Sequence, residues 1–388
     1  MLYRNKNECC GCEACANACP KGIIEMITDS EGFMYPSIVH PERCVNCKRC
    51  ETVCPIKNAH EVANFSERSF AGFSKSQKEV KSSASGSLGT AISKGFVAQG
   101  GVVYGVKYSD DNLRAEYGKS TTVDGLEKFR TSKYIQSQKK DTFKKIETDL
   151  VSGQSVLFFG LPCDVYALKL FLAKDYDNLY TCALICHGVT SPFVQEQYIK
   201  TITSAQQCPV RKFSVRYKKE GWKPYYIHAV LDNGKEFIEK FAESSYGVAF
   251  LYFKRPSCNA CPIKRKRNHA DMTIGDYHIA AGGKVDPYNP DGVSSVIVHN
   301  ERGMTMLSLA ENFFIEEVPL KNVLYSEAYY RAIPARANRR EFGEVFSKDG
   351  LEAACSLPSV KRIDFALARK AQIKTIGAKI KKVILRKR

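Results

Sequence analysis

Between residue 70 and about residue 320 the chain alternates two patterns of apolar and polar positions. Short runs rich in β-branched and aromatic residues, Gly101–Tyr108, Ser155–Phe159, Leu179–Ile185 and Ser294–His299, predict strands. Stretches in which apolar residues recur every three or four positions, Leu88–Gln99, Thr142–Ser152, Val165–Leu172 and Pro192–Thr203, predict helices. That alternation predicts a mixed α/β body. Nearer the start, the apolar runs Gly22–Met26 and Tyr35–Val39 flank Asp29-Ser-Glu-Gly32 and read as a β-hairpin. The polar, aperiodic segment Asn58–Ser69 reads as a linker. At the far end, Ile373, Ile376, Ile380, Val383 and Ile384 form one apolar stripe at helical spacing with Lys and Arg between them.

Composition narrows the class. A length of 388 residues fits two or three compact domains and exceeds a lone electron-carrier module. Apolar residues at 44% and charged residues at 26% are those of a folded chain. No run of eighteen apolar residues occurs, so no transmembrane helix is expected. The net charge of +17 is concentrated: residues 361–388 hold eleven Lys or Arg against Asp364 alone, which is +10 and leaves +7 for residues 1–360. Such a tail suits an anionic membrane surface, or packing on a partner or on the chain's own body. Nucleic acid is disfavoured, because no aromatics interleave the charges for base stacking. The expected location is cytoplasmic, with the tail able to hold the chain peripherally at the inner membrane surface.

Sixteen cysteines are too sparse for a small disulfide scaffold, and no export signal precedes Cys9. They read as metal ligands. Eight of them form Cys9-x2-Cys12-x2-Cys15-x3-Cys19-Pro20 and its repeat Cys44-x2-Cys47-x2-Cys50-x3-Cys54-Pro55. In this spacing a tight loop presents three thiolates to one 4Fe–4S cubane and the fourth reaches the other cluster. The expected ligand sets are Cys9, Cys12, Cys15 and Cys54 for one centre, and Cys44, Cys47, Cys50 and Cys19 for the second. Paired zinc sites have no need of a ligand borrowed across a repeat. Cys10 breaks the register and reads as a spectator.

Of the remaining cysteines, Cys163 follows an apolar strand in Gly160-Leu-Pro-Cys163, Cys186 follows another in Ile185-Cys-His-Gly188, and Cys258 and Cys261 flank Asn-Ala before Pro262. These four could hold a third 4Fe–4S cluster or an all-thiolate zinc, or be ordinary buried cysteines, and spacing alone leaves the three open. Cys182 competes with them if its segment is helical; Cys208 and Cys355 read as structural. No Gly-x-Gly-x-x-Gly or Gly-x4-Gly-Lys-Ser/Thr fingerprint is present.

Lys81-Ser-Ser-Ala-Ser-Gly86, Gly100-Gly-Val-Val-Tyr-Gly105, Ser132-Lys-Tyr134 with Gln136-Ser137, Gly160-Leu-Pro-Cys163, Cys186-His-Gly188 with Ser191-Pro192, Gly221-Trp222, Arg255-Pro-Ser-Cys258 and Asp271-Met-Thr-Ile-Gly-Asp276 occur in this order. Over residues 1–320 the chain resembles the coenzyme F420 hydrogenase/dehydrogenase β-subunit family, which also includes 7-hydroxymethyl chlorophyll a reductase. The resemblance implies an FAD beside a third 4Fe–4S cluster on Cys163, Cys186, Cys258 and Cys261. It makes Ser85, Gly86, Ser132, Lys133 and Tyr134 the flavin-pocket candidates. It also divides the chain into a ferredoxin-like unit at 1–60, a linker at 61–69, body parts at 70–150 and 151–325, an extension at 326–360 and the basic amphipathic tail at 361–388. Five positions depart from the family pattern: Ser87 and Thr131 stand where the family often has Gly, Asp164 where it has Gln, and Tyr277-His278 where it has Phe-Trp.

The expected fold is thus α+β or mixed α/β, with a small dicluster unit, a larger flavin-binding body and a basic C-terminal helix. The expected function is that of an iron–sulfur flavoprotein oxidoreductase. Electrons would enter from ferredoxin or another redox protein and reach FAD and a two-electron small-molecule partner, F420-like or other. His187 and His278 are the weak candidates for proton transfer, and Asp276 reads as a turn residue. The alternative is an electron-transfer subunit serving a partner enzyme.

Overall fold

The computed structural model describes residues 2–63, 65–283 and 285–361. The basic tail expected at 361–388 therefore lies, from residue 362 onward, outside the described residues. An N-terminal hairpin pairs β1 (Ile24–Thr28) with β2 (Met34–Ile38). The body carries β3 (Arg68–Ser74), β4 (Val102–Tyr108), β5 (Ala115–Ser120), β6 (Ser137–Gln138), β7 (Val156–Gly160), β8 (Leu179–Leu184), β9 (Val210–Tyr217), β10 (Tyr226–Leu231), β11 (Glu236–Lys240), β12 (Met272–Asp276), β13 (Ser294–Val298) and β14 (Phe313–Glu317).

Nine strands form one mixed sheet in the order β14-β3-β13-β12-β8-β7-β4-β5-β6. Its centre, β12-β8-β7-β4, is parallel, and the strands outside it bring in antiparallel pairs. Central parallel strands are covered on both faces, which is why β7 reads as the unbroken apolar run Val-Leu-Phe-Phe. Alternate side chains then serve two cores. Val102, Tyr104, Val156 and Phe158 pack against the helices Thr142–Val151 and Pro162–Leu172. Val103, Leu157 and Cys182 pack against Leu88–Ala98 and Glu301–Ser308. Cys182 is thus a buried strand residue in an apolar core.

The N-terminal unit shares these cores. Cys12, Ala14, Ala18 and Val53 belong to the first, and Phe33 and Tyr35 pack with Phe253, Tyr252 and Phe342 in another. The expected strands and helices lie within a few residues of those observed. One shift matters: the helix expected from Val165 starts at Pro162, whose missing N–H suits a first helical position, so Cys163 sits in the first turn. A second sheet, β11-β10-β9, has no counterpart in the expected elements. Its outer strands β9 and β11 mix Lys, Arg or Glu among the apolar positions, which blurs the alternation.

Candidate functional site

Both cysteine motifs fold the same way. Gly11 and Glu13 have φ of 72° and 61°, and their counterparts Asn46 and Lys48 have φ of 51° and 59°. Left-handed residues alternating with ordinary ones form a concave nest whose peptide N–H groups point inward at an anion, as iron–sulfur sites require. Each loop then runs into a short helix, Ala14–Ala18 or Arg49–Thr52. The fold brings Cys54 beside Cys12 and Cys15, and Cys19 beside Cys50, so thiols cross between the repeats. Burial and the neighbouring Cys9 and Cys54 push the Cys15 thiol up to about 12. Crowded thiols of this kind ionise together only when a metal centre compensates them.

A second group of thiols gathers at the carboxyl ends of the parallel strands. Cys163 follows β7, Cys186 follows β8, and the turn Pro256–Ala260 with Cys261 closes over them. This is where open α/β sheets hold their ligands. Cys163, Cys186, Cys258 and Cys261 line one cavity, and Cys10 joins them. Burial, with Cys186, Cys261 and Cys163 close by, pushes Cys258 up to about 12. The Cys10 thiol lies within hydrogen-bonding reach of both Cys12 and Cys163, between the first motif and this cavity. Among the described residues no three His, Cys, Asp or Glu side chains converge on a single-ion site. A cubane spreads its ligands over four separate irons, so four thiols lining one cavity are a set that could hold one.

Beyond Cys186 the crevice turns polar. Arg216, on β9, donates to Tyr134 Oη at 2.9 Å, to the Ala84 carbonyl at 2.7 Å and to Asp276 at 2.8 Å. Lys218 donates to the carbonyls of Val80 and Ser85 at 2.6 and 2.7 Å. Together they draw Ser85, Gly86, Tyr134 and the end of β12 to one place. Burial works to raise the Asp276 carboxyl, but Arg216, with His278, outweighs it and holds the group below the usual range. Asp276 is thus an ion-pair hub at the strand end. Burial and Arg216 bring Lys218 down to about 7. Arg216 Nε, Trp222 Nε1 and His278 Nδ1 are buried with no hydrogen-bond partner. Arg216 paired with Asp276, a buried Lys218 held only by carbonyls, and three orphaned polar atoms fit an anionic ligand with hydrogen-bonding groups.

The remaining candidates are spread around this point. Ser85 Oγ donates to the Val293 carbonyl at 2.6 Å, and Tyr134 stacks on Phe250 at 4.5 Å. Lys133 donates to the Arg130 carbonyl at 2.6 Å, and burial lowers its ammonium to about 7. Ser132 precedes it in the same loop. Ser87 and Thr131 have φ of 76° and 64°, so the two residues that replace glycine keep a backbone conformation glycine favours. His187 and His278 face one open cleft of about 520 Å³ with Leu324, Tyr325 and Tyr330. Burial, then Lys254, brings His187 down to about 4, so its imidazole is neutral at pH 7. Arg216 and Lys218 escaped the sequence reading because they lie at the end of β9 and just beyond it, in Arg216-Tyr-Lys-Lys, which carries no motif.

Residues 153–322 match the family described as the C terminus of the beta subunit of coenzyme F420 hydrogenase/dehydrogenase. Residues 8–58 match the 4Fe-4S dicluster domain. An uncharacterized polyferredoxin-like protein of Methanocaldococcus jannaschii is 40% identical over 55 residues, 12% of this chain and 33% of the relative. An uncharacterized ferredoxin of the same organism is 39% identical over 51 residues, 13% of this chain and 64% of the relative. The chain thus spans less than two thirds of either relative. A chain of the F420-reducing NiFe hydrogenase complex from Methanosarcina barkeri aligns with a TM-score of 0.48 at 16% identity, covering 74% of this chain and 94% of that one.

Proposed function

We propose that this iron–sulfur electron-transfer protein is a flavoprotein oxidoreductase, on the match of residues 153–322 to the coenzyme F420 hydrogenase/dehydrogenase β-subunit family and of residues 8–58 to the 4Fe–4S dicluster domain. Electrons from ferredoxin or another redox protein would enter at the N-terminal thiols and leave through FAD to a two-electron acceptor, F420-like or other; the reverse flow uses the same path. The observation that carries this reading is the unbroken run of thiols, Cys12 to Cys10 to Cys163, which joins the first motif to a cavity at the sheet's carboxyl edge.

Bound clusters supply single-electron steps and a bound flavin converts them into two-electron chemistry. The chain's own residues do the rest. Cys9, Cys12, Cys15 and Cys54 would hold one cluster, Cys44, Cys47, Cys50 and Cys19 the second, and Cys163, Cys186, Cys258 and Cys261 a third. Arg216 and Lys218 supply positive charge for a dinucleotide's phosphates, beside Ser85, Gly86 and the Ser132–Tyr134 loop. His187 and His278 face the cleft in which a proton would be handed over.

An iron, sulfide and flavin count on anaerobically purified protein tests the proposal. About twelve irons with one FAD per chain supports it; about eight irons without flavin sinks it. A second reading follows from the matching family being described as part of a larger enzyme: an electron carrier docked on a partner. Bound flavin that reoxidises only when a partner protein is added would favour that reading. Among the described residues no helix is long and apolar enough to cross a membrane. Cytoplasmic residence, with the tail on a membrane surface or a protein partner, is part of the proposal.

A further inference from the structure

Arg255 is fully buried, at 0% exposure, with no carboxylate partner among the described residues. Its Nε donates to the Cys9 carbonyl at 2.8 Å and one terminal nitrogen to Gln136 Oε1 at 2.9 Å. The other terminal nitrogen points at Cys9 Sγ, 3.5 Å away. The guanidinium lies 4.0 Å over the Tyr35 ring. Two other buried cations here have a carboxylate: Lys139 pairs with Asp164 at 3.0 Å and Arg216 with Asp276 at 2.8 Å. Desolvating an arginine costs more than an aromatic face returns. Its counter-charge must come from elsewhere, and the group in reach is the thiolate of Cys9.

We propose that Arg255 is the counter-charge of the cluster held by the first cysteine motif and raises that cluster's reduction potential. A thiolate-ligated cubane is anionic in both working states and gains one further negative charge on reduction, with no proton needed. A fixed cation beside a ligand sulfur, in a site closed to water, stabilises the reduced state more than the oxidised one. The backbone adds a second link: the Arg255 carbonyl accepts from the Cys258 N–H at 3.0 Å, so this residue touches ligand candidates of two centres. The proposal rests on Cys9 being a cluster ligand.

The test is an EPR-monitored redox titration of the anaerobic full chain, following the signal that disappears in Cys9→Ala. Arg255→Met lowers the reduced-to-oxidised ratio of that signal at fixed potential about tenfold, which is 59 mV for one electron. Arg255→Lys retains most of the wild-type ratio. Gln136→Glu leaves the guanidinium in place and hands it a carboxylate, so it shifts the ratio the same way even where Arg255→Met fails to assemble. An unmoved ratio in a neutralising variant that keeps its iron overturns the role of Arg255. A Cys9→Ala protein that loses no iron overturns the ligand assignment beneath it.

Discussion

The loop Cys9–Cys15 and the loop Cys44–Cys50 share a spacing and a backbone, yet one faces the protein and the other faces solvent. Cys12 is buried, and the carbonyl of Gly11 accepts from Gln136 and Lys139. Glu13 accepts from the backbone N–H groups of Lys139 and Lys140 at 3.0 and 2.8 Å. In the other loop Cys44 and Cys47 are exposed, as is Val45. The motif therefore specifies what is bound, and the surroundings specify what the bound group does. An exposed centre suits exchange with a docking protein, and a walled centre suits onward transfer to Cys10 and the cavity behind it.

The sharpest way to break that symmetry is to exchange the residues at the left-handed position. A Cβ on Gly11 would lie 2.3 Å from Gln136 Nε2 and 3.0 Å from the Arg255 guanidinium. Asn tolerates a positive φ, so Gly11→Asn isolates the steric clash from backbone strain. The expected cost is about 3 kcal/mol, with loss of iron from the first motif. Asn46→Gly stays within about 0.5 kcal/mol of wild type. Thermal unfolding with an iron count on each variant checks the pair; equal effects would show that the two loops are equally supported.

A smaller difference is expected from the polar tethers. Gln136 is buried and binds both ways: Oε1 accepts from Arg255 and the Met34 N–H, and Nε2 donates to Gly11. Gln136→Ala strands those partners at about 2 kcal/mol. Asn58 plays the corresponding part in the second loop, donating to the Glu51, Thr52 and Cys54 carbonyls near the surface. There water replaces the lost donor, so Asn58→Ala costs about 0.5–1 kcal/mol. Denaturant midpoints of the two variants should differ in that order, and the reverse order would refute the contrast.

What could be read from the chain was whatever repeats or alternates. The eight motif cysteines announce themselves by spacing, and β7, β8 and the helices around them by apolar period, so mixed α/β architecture and a dicluster unit were legible. Ser87 and Thr131 looked like losses of glycine function, but the backbone keeps its left-handed turns there. Cys10 looked idle because its meaning depends on Cys163, 153 positions away and next to it only after folding. Arg216 and Lys218 were invisible for the same reason, and Arg255 showed only as part of a motif, with no hint of its partners. A buried cation is chosen for its partners, and those come from distant strands and turns.

The smallest expected effect is a loss of stability in acid on the second loop's side. Just beyond Cys54, the carbonyl of Asn58 accepts from Tyr166 Oη at 2.6 Å, and Tyr166 stacks flat on His269 at 3.8 Å. Burial, with His60 and Lys169 nearby, lowers His269 from 6.5 to about 4. The unfolded chain therefore binds the proton more tightly than the folded one. Stability from the neutral imidazole is present above pH 6.5 and is lost as pH falls from there towards 4. His269→Phe keeps an aromatic face on Tyr166 and removes the titration, so its thermal midpoint should fall less than that of wild type between pH 7 and pH 5. Equal falls would place the acid-sensitive group elsewhere. Of the first loop's tethers, Arg255 and Gln136 do not titrate in that window, and burial raises the Glu13 carboxyl, so its folded form binds the proton more tightly than the unfolded one and acid does not weaken that side while the seam at Asn58 loosens.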